Sequence, residues 1–284
     1  MNKHLLILSM SAISALYGDD NVFNLGKIDV NATIDTQYSS SVNIIDSQEI
    51  KDQNRKTIVE ALDLIPGATI QNFGARNEQM IMIRGFDVKH APLFIDGIPV
   101  AVPYDGYVDF SRFTTFDLSE IEVSKGLTSP LLGVNTFAGA INLVTKKPSK
   151  SFEGDAGVGL FSGNGKIGYL NVGSNQGKYY IQASVSETKR DTYPLSDDFV
   201  PKNTTNEDGG DRNNAYAKDD KINFKIGYTP NDTDEYALNY IRQTADKGVP
   251  PDEAANLSKR GFWQWKYWDK ESLYFLSKTD FGKW

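Results

Sequence analysis

After Lys150 the chain settles into short runs in which apolar and polar residues alternate: SFEGDAGVGLF, KIGYLNVG, YYIQASVSE, DKINFKIGYTP, DEYALNYIRQ and LYFLSKTDF. Successive side chains on a strand point to opposite faces, so a period of two marks strands with two chemically different sides. Phe152, Ala156, Val158 and Leu160 fall together on one such side. Each run approaches the ~9–11 residues with which a tilted strand crosses a bilayer. Short connections at 174–177 and 231–234 alternate with long polar ones at 190–220 and 244–261. Short turns at one end and long loops at the other are the pattern of an outer-membrane barrel. A soluble β-sandwich with two large loops satisfies the same alternation, so this pattern alone leaves both open.

The N-terminus decides the compartment. MNKHLLILSMSAISALYG places Lys3 before an apolar stretch from Leu5 to Leu16. That stretch is too short to span a bilayer as a helix, which takes roughly 20 residues. Residues 1–18 therefore read as a signal peptide, with Gly18 before the cut and Leu16 where alanine is commoner. No other segment approaches a transmembrane helix, so an exported chain of this kind crosses a membrane with strands or not at all. The 14 Tyr and 15 Phe among 284 residues are many for an acidic soluble domain and expected of strands with aromatic girdles.

Several function classes fall away. A net charge of −7 argues against a nucleic-acid partner, which requires a basic stripe. The absence of cysteine excludes disulfides, thiolate metal sites and cysteine nucleophiles. Two histidines, His4 and His90, cannot build a histidine zinc centre. There is no G-x-S-x-G, and no G-x-G-x-x-G leads from a strand into a helix. No catalytic residue, metal or cofactor is indicated, and the chain is not read as an enzyme.

Residues 41–150 have a different, mixed texture. SVNIIDSQEIKDQ runs from a strand into a helix that Asp46 or Ser47 caps. TIVEALDLIPGATI aligns Ile58, Ala61, Leu62 and Ile65 on one helical face before Pro66-Gly67 stops it. MIMIRGF is a strand that breaks at Arg84-Gly85. PLFIDGIPV is a hairpin turning at Asp96-Gly97, the pair that a two-residue type I′ turn prefers. LSEIEVSKG and AINLVT are two further strands. Ahead of all this, residues 19–40 are polar apart from LGKIDVNAT, where Ile28 and Val30 point one way and Lys27 and Asp29 the other. Such a stretch suits addition to another protein's sheet edge; a disordered leader has the same composition.

These blocks, in this order, resemble the plug domain of TonB-dependent outer-membrane receptors. The stretch from Ile58 to Phe86 is similar to the family's helix that ends at Pro-Gly and leads to an Ile-Arg-Gly strand end. PLFIDGIPV is similar to its VDG hairpin, and LSEIEVSKGLTSPLLGVNTFAGAINLVTKKP to its long closing signature, with Leu127 in place of the usual proline and Thr136-Phe137 in place of smaller residues. The fold implied is an α+β plug, a small mixed sheet with short helices over 41–150, followed over 151–284 by the start of an antiparallel transmembrane β-barrel.

The function implied is uptake of a scarce metal chelate, a ferric siderophore foremost, across the cell outer membrane. Lys27, Ile28, Asp29 and Val30 stand where the family carries the TonB box, so TonB with its inner-membrane energising complex is the implied partner, and outer-membrane lipid the implied surroundings. The resemblance assigns plug-to-barrel contacts to Arg84, Lys125 and Glu122, with acidic partners on wall strands beyond Trp284. Ligand contacts are expected at the plug apices and a nearby aromatic stretch: Arg76, Tyr104, Arg112 and Trp265. In GFWQWKYWDK, Trp263, Trp265, Tyr267 and Trp268 suit an interfacial girdle or a ligand-facing wall, and NEDGGD lacks the spacing of a calcium loop and reads as a solvated loop. Large barrels of this class have 22 strands and need roughly 220 residues before loops, whereas six runs are present. The expectation is a piece of a longer receptor or a truncated gene, and in the latter case a non-transporting remnant. Haem or cobalamin is the alternative cargo. No additional periplasmic signalling domain is expected ahead of the box.

Overall fold

The structure, a computed structural model, describes residues 41–73, 76–101, 106–126, 136, 138–252 and 262–280. Residues 1–18, read as a signal peptide, Lys27 to Val30, expected as the box, and Tyr104 lie outside the described residues.

The first part is built around a five-stranded sheet in the order β1-β6-β7-β4-β5. Its strands are β1 (Ser41–Asp46), β4 (Leu93–Ile95), β5 (Ile98–Val100), β6 (Leu118–Lys125) and β7 (Gly139–Thr145). β4 joins β7 in parallel, and the other pairs are antiparallel. β2 (Ala68–Phe73) and β3 (Glu78–Ile83) form a separate antiparallel pair. The local chemistry accounts for each break. Asp46 caps α1 (Ser47–Asp52) by accepting from the Glu49 amide at 2.8 Å. α2 (Ile58–Leu62) starts in a full capping box, with Thr57 and Glu60 each satisfying the other's backbone amide. Asp96 and Gly97 turn the hairpin with φ of 50° and 79°, the left-handed pair a type I′ turn demands. Ile58, Leu62, Ile83, Leu93, Phe110, Phe113, Ile121 and Ile141 fill the core between these elements. β6 and β7 are buried along almost their whole length, where the alternation in LSEIEVSKG suggested one open face. Both faces are covered, so the polar side chains there have work inside the molecule.

The second part is one antiparallel sheet running in chain order. It comprises β8 (Glu153–Phe161), β9 (Gly165–Asn175), β10 (Tyr179–Arg190), β11 (Ala217–Tyr228) and β12 (Glu235–Gly248), followed by the short β13 (Gln264–Trp265) and then β14 (Lys270–Lys278), which also pairs with β12. The strands are longer than the sequence runs: β11 begins inside the expected 190–220 loop and β12 reaches into the expected 244–261 loop. Their amphipathicity is inside out. On β11, Asp219, Lys221, Asn223 and Lys225 are buried, while Ile222, Phe224, Ile226 and Tyr228 face outward. On β8 the exposed side carries Val158 at 86% and Leu160 at 79%. A polar inner face and an apolar outer one suit strands that face lipid. Among the described residues no helix is long and apolar enough to cross a membrane.

Candidate functional site

The polar side of the second part is where the first part docks, and the contacts form a ladder of charges. Starting from the short-turn end, Lys147 pairs with Glu235 at 2.9 Å, and the buried Tyr180 hydroxyl donates to the same carboxylate at 2.7 Å. Next, Asp96 in the hairpin turn meets Lys225 at 3.1 Å. Asp96 also accepts from the Thr145 amide and hydroxyl at 2.8 and 2.6 Å, from Asn239 at 3.1 Å and from Tyr274 at 3.1 Å. One step further, Asp117 takes Lys221 at 2.7 Å and Asn223 at 2.9 Å. At the long-loop end Asp109 pairs with Lys247 at 2.5 Å, and Arg112 pairs with Asp219 at 3.0 Å.

Burial and charge pull in opposite directions at these carboxylates. Burial pushes Asp96 upward, but the Lys225 ammonium and the Thr145 donors outweigh it and hold its pKa below the ordinary value. At Asp109 burial again acts first, and Lys247 and Arg112 overcome it, lowering the pKa. Both therefore stay ionised as docked anions. Apolar contacts complete the joint: Phe116 stacks on Tyr169 at 4.8 Å, and Phe113 meets Trp268 edge-on at 5.6 Å.

The structure brings together two of the residues at which ligand contacts are expected. The Trp265 indole donates to the Arg76 carbonyl at 3.1 Å, and the Arg76 guanidinium lies 5.5 Å from the Trp265 ring while pairing with Glu78 at 3.0 Å. Arg112 lies elsewhere, buried in the docking joint, with its carbonyl accepting from Gln243. Of the three residues that the resemblance assigns to plug-to-barrel contacts, Lys125 donates to the Pro66 carbonyl at 2.5 Å, and Glu122 accepts from Asn142 at 2.8 Å. Arg84 is exposed at a turn with φ of 51°, its guanidinium beside Gly126. Three of the observed rungs run with the opposite polarity, with Asp96, Asp117 and Asp109 on the inserted part and lysines on the wall, while Lys147–Glu235 and Arg112–Asp219 place the cation on the inserted part.

Two sequence readings change. The GFWQWKYWDK stretch divides: Trp265 and Trp268 turn toward the first part, while Trp263 and Tyr267 stay exposed at 59% and 82%. The aromatic row lies instead at the short-turn end, where Tyr179, Tyr228, Tyr236 and Phe275 stack across four neighbouring strands at 4.9, 6.4 and 6.4 Å. Tyr179 begins β10 and Tyr228 ends β11, Tyr236 is the second residue of β12, and Phe275 lies inside β14. The NEDGGD loop is not simply solvated. Asn206 and Glu207 are fully buried, with Glu207 paired to Arg212, Arg212 donating to the Pro251 carbonyl, and Asn206 donating to the Asp252 carbonyl at 2.9 Å. Paired internally, these polar groups tie loop 191–216 to the end of β12. Among the described residues no cluster of three or more His, Cys, Asp or Glu is placed to hold a metal.

Comparison with known proteins agrees with this architecture. Residues 35–140 match the family described as TonB-dependent Receptor Plug Domain. A vitamin B12 transporter of Vibrio vulnificus is 29% identical over 126 residues, covering 44% of this chain and 20% of the transporter. The ferrioxamine B receptor of Salmonella typhimurium is 30% identical over 135 residues, covering 47% of this chain and 19% of the receptor. The chain thus spans about a fifth of the length of these relatives. Among solved structures, the FrpB iron transporter from Neisseria meningitidis superposes with a TM-score of 0.65 at 16% identity, covering 79% of this chain and 36% of that one. Residues 35–140 carry a TonB-dependent receptor plug domain, and the antiparallel strands that follow resemble in fold the start of the barrel of such receptors.

Proposed function

We propose that this chain is the plug-bearing part of a transporter that brings a scarce metal chelate, a ferric siderophore foremost, across the outer membrane. Energy reaches it from TonB through Lys27, Ile28, Asp29 and Val30. The observation that supports this best is the docking ladder. A plug held to a polar wall largely by ion pairs and hydrogen bonds can separate from the wall and return, because water and ligand can replace those contacts. The apolar outer face and the aromatic row fit lipid surroundings. Arg76 and Trp265, adjacent at the long-loop end, together with Tyr104, supply a cation and aromatic faces for a chelate arriving from outside. Arg112 acts behind them by holding the plug to Asp219. Arg84, Glu122 and Lys125 contact wall strands that follow Trp284.

Cobalamin is the second cargo to test, because vitamin B12 transporters stand among the curated relatives. The experiment is uptake of radiolabelled ferric chelates and of labelled cobalamin by the source cell, with and without residues 25–32. Removing those residues leaves surface binding intact and abolishes uptake. Undiminished uptake of every cargo in the deletion strain rules the mechanism out.

A further inference from the structure

The wall residues that the plug covers carry a pattern of their own. On β11, β12 and β14 the inward positions between Glu235 and the long loops hold four lysines. Lys225 lies level with Asn239 and Tyr274, Lys221 lies level with Gln243 and Lys270, and Lys247 stands nearest the loops. On these strands, in this interval, Asp219 is the one inward-facing acid among the described residues. Asn223, Asn239 and Gln243 fill the spaces with amide donors. In the docked state Lys225, Lys221 and Lys247 each rest on a plug carboxylate, from Asp96, Asp117 and Asp109. At these three lysines the plug therefore meets the wall as an anion would, and only Arg112, on Asp219, meets it as a cation in this interval among the described residues.

The geometry points to this face as the transit path of an anionic ligand, with Lys225, Lys221 and Lys247 exchanging the plug's carboxylates for the ligand's oxyanions when the plug moves aside. This rests on the transporter reading above and adds the charge of the cargo to it. The physical reason is that lysines stripped of their partners against a low-dielectric wall recover their loss by taking an anion. Lys221 and Lys225 are four residues apart, ~13 Å along a strand, comparable with the ~10 Å over which charges are felt at 0.1 M salt. An anion leaving one lysine already feels the next.

The test needs no knowledge of the natural ligand. The native protein carrying this sequence is placed in a planar bilayer between unequal KCl solutions, with urea on one side to loosen the plug. The reversal potential then gives the chloride-to-potassium permeability ratio. The wild-type pore is expected to favour chloride, and Lys221→Gln/Lys225→Gln to lower the ratio at least two-fold. Because that variant also loses two docking pairs, a second one carries Asp117→Lys and Lys221→Asp. It keeps that pair with its charges exchanged, and its ratio is expected to fall as well. A ratio that either variant leaves unchanged overturns the anionic path while leaving the transporter reading in place. The absence of any urea-dependent conductance overturns the transporter reading, and the path with it.

Discussion

A single carboxylate concentrates most of the docking chemistry. Asp96 is 1% exposed, yet five donors converge on it: Lys225, Asn239 and Tyr274 from the wall, and the amide and hydroxyl of Thr145 from the plug. Removing one partner of a buried ion pair costs more than the pair itself contributes, because the charge left behind has lost water as well as its partner. Asp96→Asn is therefore expected to destabilise the docked protein by about 3–5 kcal/mol, measured as a lower unfolding midpoint in detergent micelles. The pH dependence follows from the same contacts. The folded pKa of Asp96 and of Asp109 lies below the unfolded value, so their stabilisation is fully present above ~3.9 and drains away as the pH falls through the folded pKa. The protein is expected to hold its unfolding midpoint from pH 7 to 5 and lose it below pH 4. In Asp96→Asn that acid limb becomes shallower. An equally steep acid limb in the variant would show that other groups govern it.

Elements differ in how far their residues announce them. The hairpin at Asp96-Gly97 and the helix stop at Pro66-Gly67 were legible because each rests on the backbone preferences of two adjacent residues. The outward face of β8 was legible because Phe152, Val158 and Leu160 repeat at period two. The capping box of α2 was not used in reading the sequence, although Thr57 and Glu60 stand at the spacing that makes one. Thr57→Ala is expected to cost about 1 kcal/mol, visible as a small drop in the unfolding midpoint. The docking ladder was not legible. It pairs Asp96 with Lys225 and Asp109 with Lys247 across more than a hundred residues, and no local pattern selects those partners. The membrane-facing side supports a sharper expectation. On β11 the apolar outward run from Tyr228 to Ile222 gives way to Asp220, which lies beside Glu187 on β10. Phe224 sits mid-run. Phe224→Arg is expected to cost ~2–4 kcal/mol and Glu187→Arg ~0–1 kcal/mol, the difference between bilayer midplane and interface. Equal costs at the two positions, measured by refolding into lipid vesicles, would move the belt away from this face.

At the scale of the molecule, buried ion pairs spread along the wall carry much of the joint between the plug and the strands, with two aromatic contacts beside them. Asn239, level with Lys225, and Lys247 are eight residues apart on β12, ~26 Å along a strand. Ion pairs so far apart share no partners and do not relax together, so their losses should add to within about 0.3–0.5 kcal/mol. The sum matters because a domain's whole stability is only ~5–15 kcal/mol. Losing one pair weakens the joint; losing three removes roughly 9–15 kcal/mol at the per-pair cost of ~3–5 kcal/mol. That leaves only Lys147–Glu235, Arg112–Asp219 and the aromatic contacts of Phe113 and Phe116 to hold the plug against the wall. The strands themselves keep their backbone ladders from β8 to β12 and β14, which involve none of the three aspartates. The triple variant Asp96→Asn/Asp109→Asn/Asp117→Asn is therefore expected to insert into membranes with its strands intact and its plug undocked. Limited proteolysis should cut it between residues 41 and 150, while the strands from β8 onward stay protected and the wild type resists throughout. Asp96→Asn alone should be cut slowly, in proportion to its lower stability. If the triple variant resists as the wild type does, the apolar contacts of Phe113 and Phe116 seat the plug and the ladder only sets its register.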